Sequence, residues 1–335
     1  MSIIPSIATR FTQRFGVRHP FACAGLAFAG LTPDLAIAVS KAGGIGAIGV
    51  GFTPPQLLRE YVRAVKAATP SPFNVNCITC FDNDAQVKVC AEEGVPIVSW
   101  HWGHPSEENR RILRDAGVSC WEQVGNVDDA ARAVADGAEV VIAQGYEAGG
   151  HNYQGRAGQR GLPTFVLLPT LVDAVGSQAM VLGSGGISDG RGVAGALALG
   201  ADAVWVGTRM VATIEASVHD EHKRRIVAAK GEDTVFSSIF GPEWPHFNPM
   251  RLQRNRVVAE YNHRLAEVPM ERGRLELELV GKTVLYGQPM EMRKFNVLLP
   301  TPQTEADWEE MPWLKRTDSS TNSPRRASTG PAARR

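Results

Sequence analysis

Short, almost continuous apolar runs recur along the first 210 residues of the chain, and each is followed by a segment of helical length. The runs contain few polar residues, which is typical of parallel strands that are covered on both faces. Eight such runs are present, at residues 21–25, 45–50, 73–78, 96–102, 119–124, 140–145, 180–185 and 203–208. Eight strand–helix units in this length predict a (β/α)8 TIM barrel. A doubly wound open sheet is the alternative arrangement.

The segments between the runs carry helix start and stop signals. Thr32 and Thr53 each precede a proline, so both are candidate N-caps with proline at the first helical position. Ser188 and Asp189 are candidate caps for the helix after the seventh run, and Gly43 is a stop signal after the first helix.

One connection is longer than the others. The gap from the sixth run to the seventh contains the stretch AQGYEAGGHNYQG, residues 143–155. A long loop inside a compact domain is usually functional or disordered. This loop leaves the carboxyl end of a strand, which is the face where barrel enzymes keep their chemistry.

The rest of the chain divides the molecule into further parts. We expect residues 1–211 to form the barrel and residues 212–280, which look helical and charged, to form a lid over the substrate. Residues 281–315 should pack back on the barrel. Residues 316–335 are polar, basic and rich in Pro and Ser, so we expect a disordered tail.

Composition narrows the class of function. The chain is 44% hydrophobic and 21% charged, with a formal net charge of zero, which is ordinary for a globular protein. These values suggest neither a nucleic-acid partner nor a membrane partner. The five cysteines are odd in number and dispersed, which favours a reducing compartment and a cytoplasmic location. Cys77 and Cys80 form a lone C-x-x-C without a second pair, so we expect no metal site.

Glycines end the seventh and eighth runs. The loops after strands seven and eight of a barrel often bind phosphate, and glycine lets backbone N–H groups come close to a ligand. Gly185, Gly186, Gly207 and the hydroxyl of Thr208 are therefore candidates to hold a phosphate. Tight packing of helix on strand is the alternative role for these glycines.

Polar side chains end other runs. Asn76 and Gln144 could form amide hydrogen bonds to a flat heterocycle, or could be buried amides that the fold satisfies. His151 follows a glycine pair, and a histidine can act as a base, an acid or a charge stabiliser near neutral pH. A surface loop histidine is the alternative.

The remaining histidines suggest no metal. His101 and His104 have an H-x-x-H spacing, but residues three apart on a strand point to opposite faces. We expect Trp100 and Trp102 to share a face and pack, with His101 pointing the other way. We expect three more histidines to be solvated, namely His219, His222 and His263. We expect His246 to line the lid.

These motifs together resemble the nitronate monooxygenase family, FMN-dependent TIM-barrel enzymes once called 2-nitropropane dioxygenases. AQGYEAGGH resembles the family's A-Q-G-x-E-A-G-G-H signature, and residues 183–210 resemble its phosphate-binding stretch. Shorter motifs, SKAGGIGAIGVG, PFNVN and VSWHWG, also match family habits. The resemblance covers about residues 15–215 and, more loosely, the C-terminal part.

The resemblance implies a set of site residues. His151 takes the position of the catalytic histidine. FMN-contact positions are implied for Ala24, Gly25, Leu26, Asn76, Gln144, Gly149, Gly150, Gly185, Gly186, Trp205, Val206, Gly207 and Thr208. Two departures bear on the substrate: Ala24–Gly25–Leu26 replaces the family's common Ala-Pro-Met, and GHNYQG, with Asn152 and Tyr153, replaces its G-H-R-G.

The implied reaction oxidises alkyl nitronates, or nitroalkanes, with FMN and O2, to carbonyl compounds and nitrite. One alternative is an NAD(P)H-dependent flavin reductase on the same barrel, acting on quinones or enoyl thioesters. Another, of a different class, is a non-redox barrel enzyme whose substrate carries a phosphate. A homodimer is plausible for such barrels.

Overall fold

The eight apolar runs form the strands of one parallel sheet. The computed structural model describes residues 7–26, 29–152, 161–241, 249–268, 277–297, 300–308 and 310–311. In chain order the first nine strands are β1 (Phe21–Cys23), β2 (Gly46–Gly49), β3 (Phe73–Ile78), β4 (Ile97–His101), β5 (Ser119–Val124), β6 (Val140–Gln144), β7 (Gly150–His151), β8 (Met180–Ser184) and β9 (Ala203–Val206). All of them except β7 belong to the parallel sheet.

The sheet closes on itself. Its strand order is β1-β9-β8-β6-β5-β4-β3-β2. A parallel bridge between Ala22 and Ile45 joins the two end strands. The Cys23 N–H donates to the Ile45 carbonyl at 2.8 Å, and the Ile45 N–H donates to the Phe21 carbonyl at 3.0 Å. The prediction of a (β/α)8 barrel is therefore confirmed.

Helices cover the outside of the barrel. They are α1 (Arg10–Phe15), α2 (Asp34–Ala42), α3 (Pro55–Ala68), α4 (Asp84–Glu92), α5 (Glu107–Asp115), α6 (Val127–Ala135), α7 (Thr164–Val175), α8 (Gly190–Ala198), α9 (Thr208–Val211), α10 (Asp220–Ala228) and α11 (Arg256–Tyr261). Within the ranges given above, none of the helices is both long enough and apolar enough to cross a membrane.

Two of the predicted caps are wrong. Pro33 and Pro54 themselves occupy the N-cap positions of α2 and α3. The Thr32 hydroxyl bonds to the carboxylate of Asp34 at 2.9 Å, so it does not cap the backbone. Asp189 caps α8 as expected, because its carboxylate accepts the Arg191 N–H at 2.9 Å.

The barrel interior is apolar at the amino ends of the strands. Trp121 is fully buried there and packs against Phe11 of α1, with ring centroids 5.8 Å apart. Arg10 fastens α1 to the same end through two 2.7 Å bonds to the carboxylate of Asp202. Helix α1 therefore closes the amino end of the barrel.

The segment after β9, which we expected to be helical, contains α10 and α11 and also a strand pair that its sequence pattern does not reveal. Strands β10 (Thr234–Ser237) and β11 (Met250–Gln253) are antiparallel. Strand β11 also pairs with β7, so that Met250 lies opposite His151 and Arg251 lies opposite Gly150. The long loop after β6 is thus joined to a segment about 100 residues further along the chain.

A third sheet contains β12 (Leu279–Leu285), β13 (Gln288–Arg293) and β14 (Glu305–Ala306). The turn between β12 and β13 reaches the barrel, since the hydroxyl of Tyr286 lies 2.9 Å from that of Thr53. The predicted tail, residues 316–335, lies outside the described residues.

A substitution at Gly46 tests how closely α2 packs on β2. A methyl group on Gly46 would lie 2.1 Å from the carbonyl oxygen of Ala36 in α2. We expect Gly46→Ala to lower the free energy of unfolding by about 1–3 kcal/mol, because the helix must move. Gly195→Ala is the matched control: apart from its own helix backbone, no described atom lies within 4 Å of its added methyl group, so helix propensity should raise stability by up to about 1 kcal/mol. Denaturant unfolding of both variants checks this, and an unchanged Gly46→Ala midpoint would contradict it.

Candidate active site

His151 lies at the carboxyl end of the barrel, on the short strand β7. The side-chain amide of Gln144, at the end of β6, donates to the His151 backbone carbonyl at 3.1 Å. Strand β11 pairs with the other edge of β7. The backbone of His151 is therefore held both by the barrel and by the segment that follows it.

The His151 imidazole packs against an aromatic ring that the sequence did not point to. The Trp102 ring lies 4.5 Å from it, centroid to centroid, at an interplanar angle of 89°. The Nε2 atom of His151 is buried and has no hydrogen-bond partner among the described residues. A buried polar atom without a partner requires an explanation, and a bound ligand is one.

Trp102 does not share a face with Trp100, so that prediction is wrong. Strand β4 ends at His101, and Trp102 has a φ of 66°, which turns the chain out of the strand. Trp100 is 1% exposed and packs under the helices. Trp102 instead lies between two histidine rings, with its centroid 4.4 Å from that of His101.

Both of these histidines are neutral at physiological pH. Burial, and secondly the nearby His101, lowers the pKa of His151 to about 3. Burial also lowers the pKa of His101 to about 3, against a hydrogen bond to Gln123 that favours its charged form. Desolvation disfavours the imidazolium, so His151 is a neutral imidazole.

The loop after β1 lies against Asn76. A methyl group on Gly25 would lie 2.0 Å from Cγ of Asn76, so the backbone passes directly over that side chain. Asn76 is 5% exposed, and its amide donates to Oγ of Ser99 at 2.8 Å. A methyl group on Gly207 would lie 3.4 Å from Cβ of Ala24 and 3.7 Å from Cδ2 of Leu26. The structure therefore brings Ala24, Gly25, Leu26, Asn76 and Gly207 together.

The glycine turn before His151 meets the end of β9. A methyl group on Gly149 would lie 2.4 Å from Oγ1 of Thr208, so the hydroxyl needs a glycine at that position. Thr208 is exposed and begins α9, where the first N–H groups have no acceptor within the helix. Gly150, next in the turn, has a φ of 78°.

The turn after β8 lies beside the glycine turn before His151, and the strand ends and turns at this end form the carboxyl rim of the barrel. Gly185 and Gly186 have φ values of 114° and 69°, a region that favours glycine. A methyl group on Gly185 would lie 3.2 Å from the Ala148 backbone nitrogen. Glu147, which the sequence did not single out, accepts the backbone N–H of Thr164 at 2.8 Å. It thereby caps α7 and fixes the 145–149 turn beside Gly185.

Two implied contact residues do not present side chains to the rim. Trp205 is 3% exposed and packs inside the barrel, 6.0 Å from the Trp121 ring. The Val206 side chain packs under the helices, and its carbonyl accepts the Ala24 N–H at 2.9 Å. Only the backbone of these residues is available to a ligand.

Other histidines lie elsewhere. His222 is 3% exposed, which contradicts its predicted solvated position, because α10 packs that face inward. His104 bonds to the buried carboxylate of Glu122 at 2.6 Å. His263 is exposed as predicted. His246 and Tyr153 fall outside the described residues.

Asn152, in one of the departures, stabilises the glycine turn. Its amide donates to the carbonyl of Ala148 at 2.7 Å and to that of Gly150 at 3.3 Å. Asn152 is 2% exposed, so it does not line a substrate site directly. It acts on the site by holding the backbone on both sides of Gly149.

Two cavities lie outside the His151 neighbourhood. One of about 520 Å³ lies beside the loops after β2 and β3, lined in part by Phe52, Cys80 and Phe81. One of about 830 Å³ runs along the outer face of α2, lined in part by Lys41 and Ile214. Neither cavity is lined by His151 or Trp102.

A closed parallel barrel with a half-buried, neutral histidine and glycine turns at its carboxyl rim is the arrangement of a (β/α)8 enzyme. The family model "Nitronate monooxygenase" matches residues 9–86 and 78–280. The chain therefore belongs to the nitronate monooxygenase family and is an oxidoreductase.

Individual relatives agree with this assignment. A nitronate monooxygenase of Paraburkholderia phytofirmans is 33% identical over 248 residues, covering 62% of this chain and 67% of the relative. The structure of FabK from Thermotoga maritima has 38% identity and a TM-score of 0.70, covering 79% of this chain and 80% of that one. A nitroalkane oxidase from Streptomyces ansochromogenes has 28% identity and a TM-score of 0.68, covering 78% and 83%.

The neutral state of His151 implies that the free energy of unfolding depends on pH. Its folded pKa of about 3 lies below the ordinary value of 6.5, so the unfolded chain binds the extra proton first. Stability is therefore complete above pH 6.5 and falls as the pH decreases towards 3, by at most about 1.4 kcal/mol per pH unit for this group. We expect His151→Gln to flatten this slope in denaturant unfolding between pH 7 and pH 5. The exposed His263→Gln is the control, and equal slopes in both variants would contradict the prediction.

Proposed function

We propose that the chain binds FMN at the carboxyl end of the barrel and oxidises alkyl nitronates, or the parent nitroalkanes, with O2 to carbonyl compounds and nitrite. His151 is the proposed catalytic residue. The observation that carries the proposal is the buried Nε2 of His151, which has no partner among the residues that the structure describes and lies beside a rim of glycine turns. Membership of the nitronate monooxygenase family supports it.

The residues at the rim fit a flavin mononucleotide. Gly185, Gly186, Gly207 and Thr208 would hold its phosphate, through backbone N–H groups and the first turn of α9. The close approach of Gly149 to Thr208 Oγ1 leaves room on this side of the rim only because no side chain is present.

The ring system would lie nearer the centre of the barrel. Ala24, Gly25, Leu26, Asn76, Gln144 and Gly150 are the proposed neighbours of its edge, and Trp205 and Val206 would contribute backbone only. When bound, the flavin supplies an acceptor for the electrons of the substrate.

His151 would act on the proton rather than on the electrons. As a neutral imidazole it can remove the α-proton of a nitroalkane, which leaves the nitronate in the site. A nitronate supplied as the anion needs no such step. The Nε2 atom of His151, which is buried, is the proposed acceptor of that proton.

A second candidate is reduction of an enoyl thioester by a nicotinamide nucleotide through the same flavin. The 38% identity to FabK, an enoyl reductase, favours it. The two reactions differ in the electron donor, so a spectrum separates them.

The proposed partners are small molecules, the nitro compound and O2. All five cysteines are free, which suits a reducing compartment, so we propose a cytoplasmic location. A homodimer, and a covering role for residues 212–280, are further proposals.

Replacing His151 tests the function directly. We expect His151→Gln to retain FMN but to reduce it with nitroethane 10²–10⁴ times more slowly, because the general base is lost. Anaerobic stopped-flow spectra with nitroethane, propyl-2-nitronate and NADH measure this, with His263→Gln as the control. Flavin reduction by NADH but by neither nitro compound would favour the reductase. Near-normal reduction by nitroethane in His151→Gln would eliminate the proposed base.

Gly149→Ala tests the cofactor site separately. The added methyl group would meet Oγ1 of Thr208, so the rim must open. We expect FMN affinity to fall by on the order of 10-fold or more, corresponding to about 1.4 kcal/mol. Fluorescence titration of the apoprotein with FMN checks this, and Gly195→Ala is the control. Equal affinities in both variants would show that FMN does not bind beside Gly149.

A further inference from the structure

Trp102 has a backbone conformation that bulky residues avoid. Its φ is 66°, and the next residue, Gly103, has a φ of 125°. In the left-handed region Cβ of an L-residue approaches its own carbonyl oxygen, so a tryptophan there is a genuine outlier. Strain of this kind persists only where the surrounding structure enforces it, and it is concentrated at functional sites.

The neighbouring loop enforces it here. The Thr79 N–H donates to the carbonyl of His101 at 3.0 Å, and its hydroxyl donates to the carbonyls of His101 at 3.1 Å and of Trp102 at 2.5 Å. Asn83 in turn fixes that loop, since its amide donates to the carbonyls of Ile78 at 2.8 Å and Phe81 at 2.7 Å. The turn at Trp102 is therefore bound to a braced loop after β3.

The result of this turn is the placement of the indole. The Trp102 ring contacts His151 at 4.5 Å and His101 at 4.4 Å. The backbone of His151 is already held by Gln144 and by β11. What those contacts leave undetermined is the rotation of the imidazole, and the perpendicular indole is the ring against which it packs.

The turn itself does not require tryptophan. Tyr286 also has a positive φ, of 49°, and precedes Gly287, but it sits in the two-residue turn of the β12–β13 hairpin, where such values are needed. Trp102 joins a strand to a helix, and a glycine would form the same turn without strain. The tryptophan at this position is therefore explained by its indole ring and not by the conformation of the turn.

We infer that Trp102 is a positioning residue that sets the orientation of the His151 imidazole, and that its left-handed conformation is maintained for this purpose. The inference deepens the proposed function and rests on it for the role of His151.

Three substitutions at Trp102 distinguish the effect of its ring from the effect of its backbone strain. Trp102→Ala removes the ring and keeps a strained Cβ, Trp102→Gly removes both, and Trp102→Phe keeps an aromatic ring. Glycine normally destabilises an ordered chain relative to alanine, but at a positive φ the order reverses. We therefore expect a higher melting temperature for Trp102→Gly than for Trp102→Ala.

Activity should follow the ring instead. We expect anaerobic flavin reduction by nitroethane to slow on the order of 10–100-fold in both Trp102→Ala and Trp102→Gly, in kcat more than in KM, with substantial rescue in Trp102→Phe. The chemical shifts of the His151 imidazole, in protein with isotope-labelled histidine and assigned by His151→Gln, should move in the two variants without a ring.

Tyr286→Ala and Tyr286→Gly are the matched controls, since they test the same φ region without altering a ring against His151. They should show the same order of melting temperatures and unchanged His151 signals. Unchanged His151 shifts, or a wild-type rate, in Trp102→Ala would overturn the inference. If the wild type itself does not react with either nitro compound, the proposed function fails, and the shifts and melting temperatures still decide whether Trp102 positions His151.

Discussion

The pairing of β1 with β2 is the constraint on which the rest of the molecule depends. Without the bridge between Ala22 and Ile45 the sheet would be open, and its two end strands would lie far apart. Closure makes the strand ends into a ring, so that loops after β1, β3, β4, β6, β8 and β9 meet over one space. Parallel strands alone would place these loops on one edge, but only closure places Gly25 against Asn76.

The side chains inside the barrel change from apolar to polar along the barrel axis. Next to α1, Trp121, Trp205 and Phe11 belong to one apolar cluster. Towards the carboxyl end the inward side chains become polar, with Asn76 bonded to Ser99. The apolar layer supplies stability by burial, while the polar layer contains groups whose burial is costly unless they are bonded. The Nε2 atom of His151, which has no hydrogen-bond partner in the described part of the chain, lies on the polar side, where a bound ligand could satisfy it.

Sequence patterns predicted the barrel well because parallel strands are buried on both faces, and runs such as FNVNCI coincide with β3. The residues around His151 were less accessible to such reasoning. The pairing of His151 with Met250 joins positions about 100 residues apart, and no local pattern encodes it. Trp102 was assigned to the wrong face because strand alternation was extended one residue too far, past a turn that its residue type does not favour. Glycine readily adopts a positive φ and therefore indicates such turns in a sequence, whereas tryptophan does not.

The attachment of α1 bears on the order in which the chain can assemble. Its Arg10 binds Asp202, and Arg14 forms an ion pair with Glu139. A ribosome makes α1 before these partners, which are synthesised more than 120 residues later. Contacts between residues so distant in sequence form slowly, because the intervening chain must be ordered first. Helix α1 thus waits for barrel strands that follow it in the chain, and sealing of the amino end comes late in the assembly of the barrel.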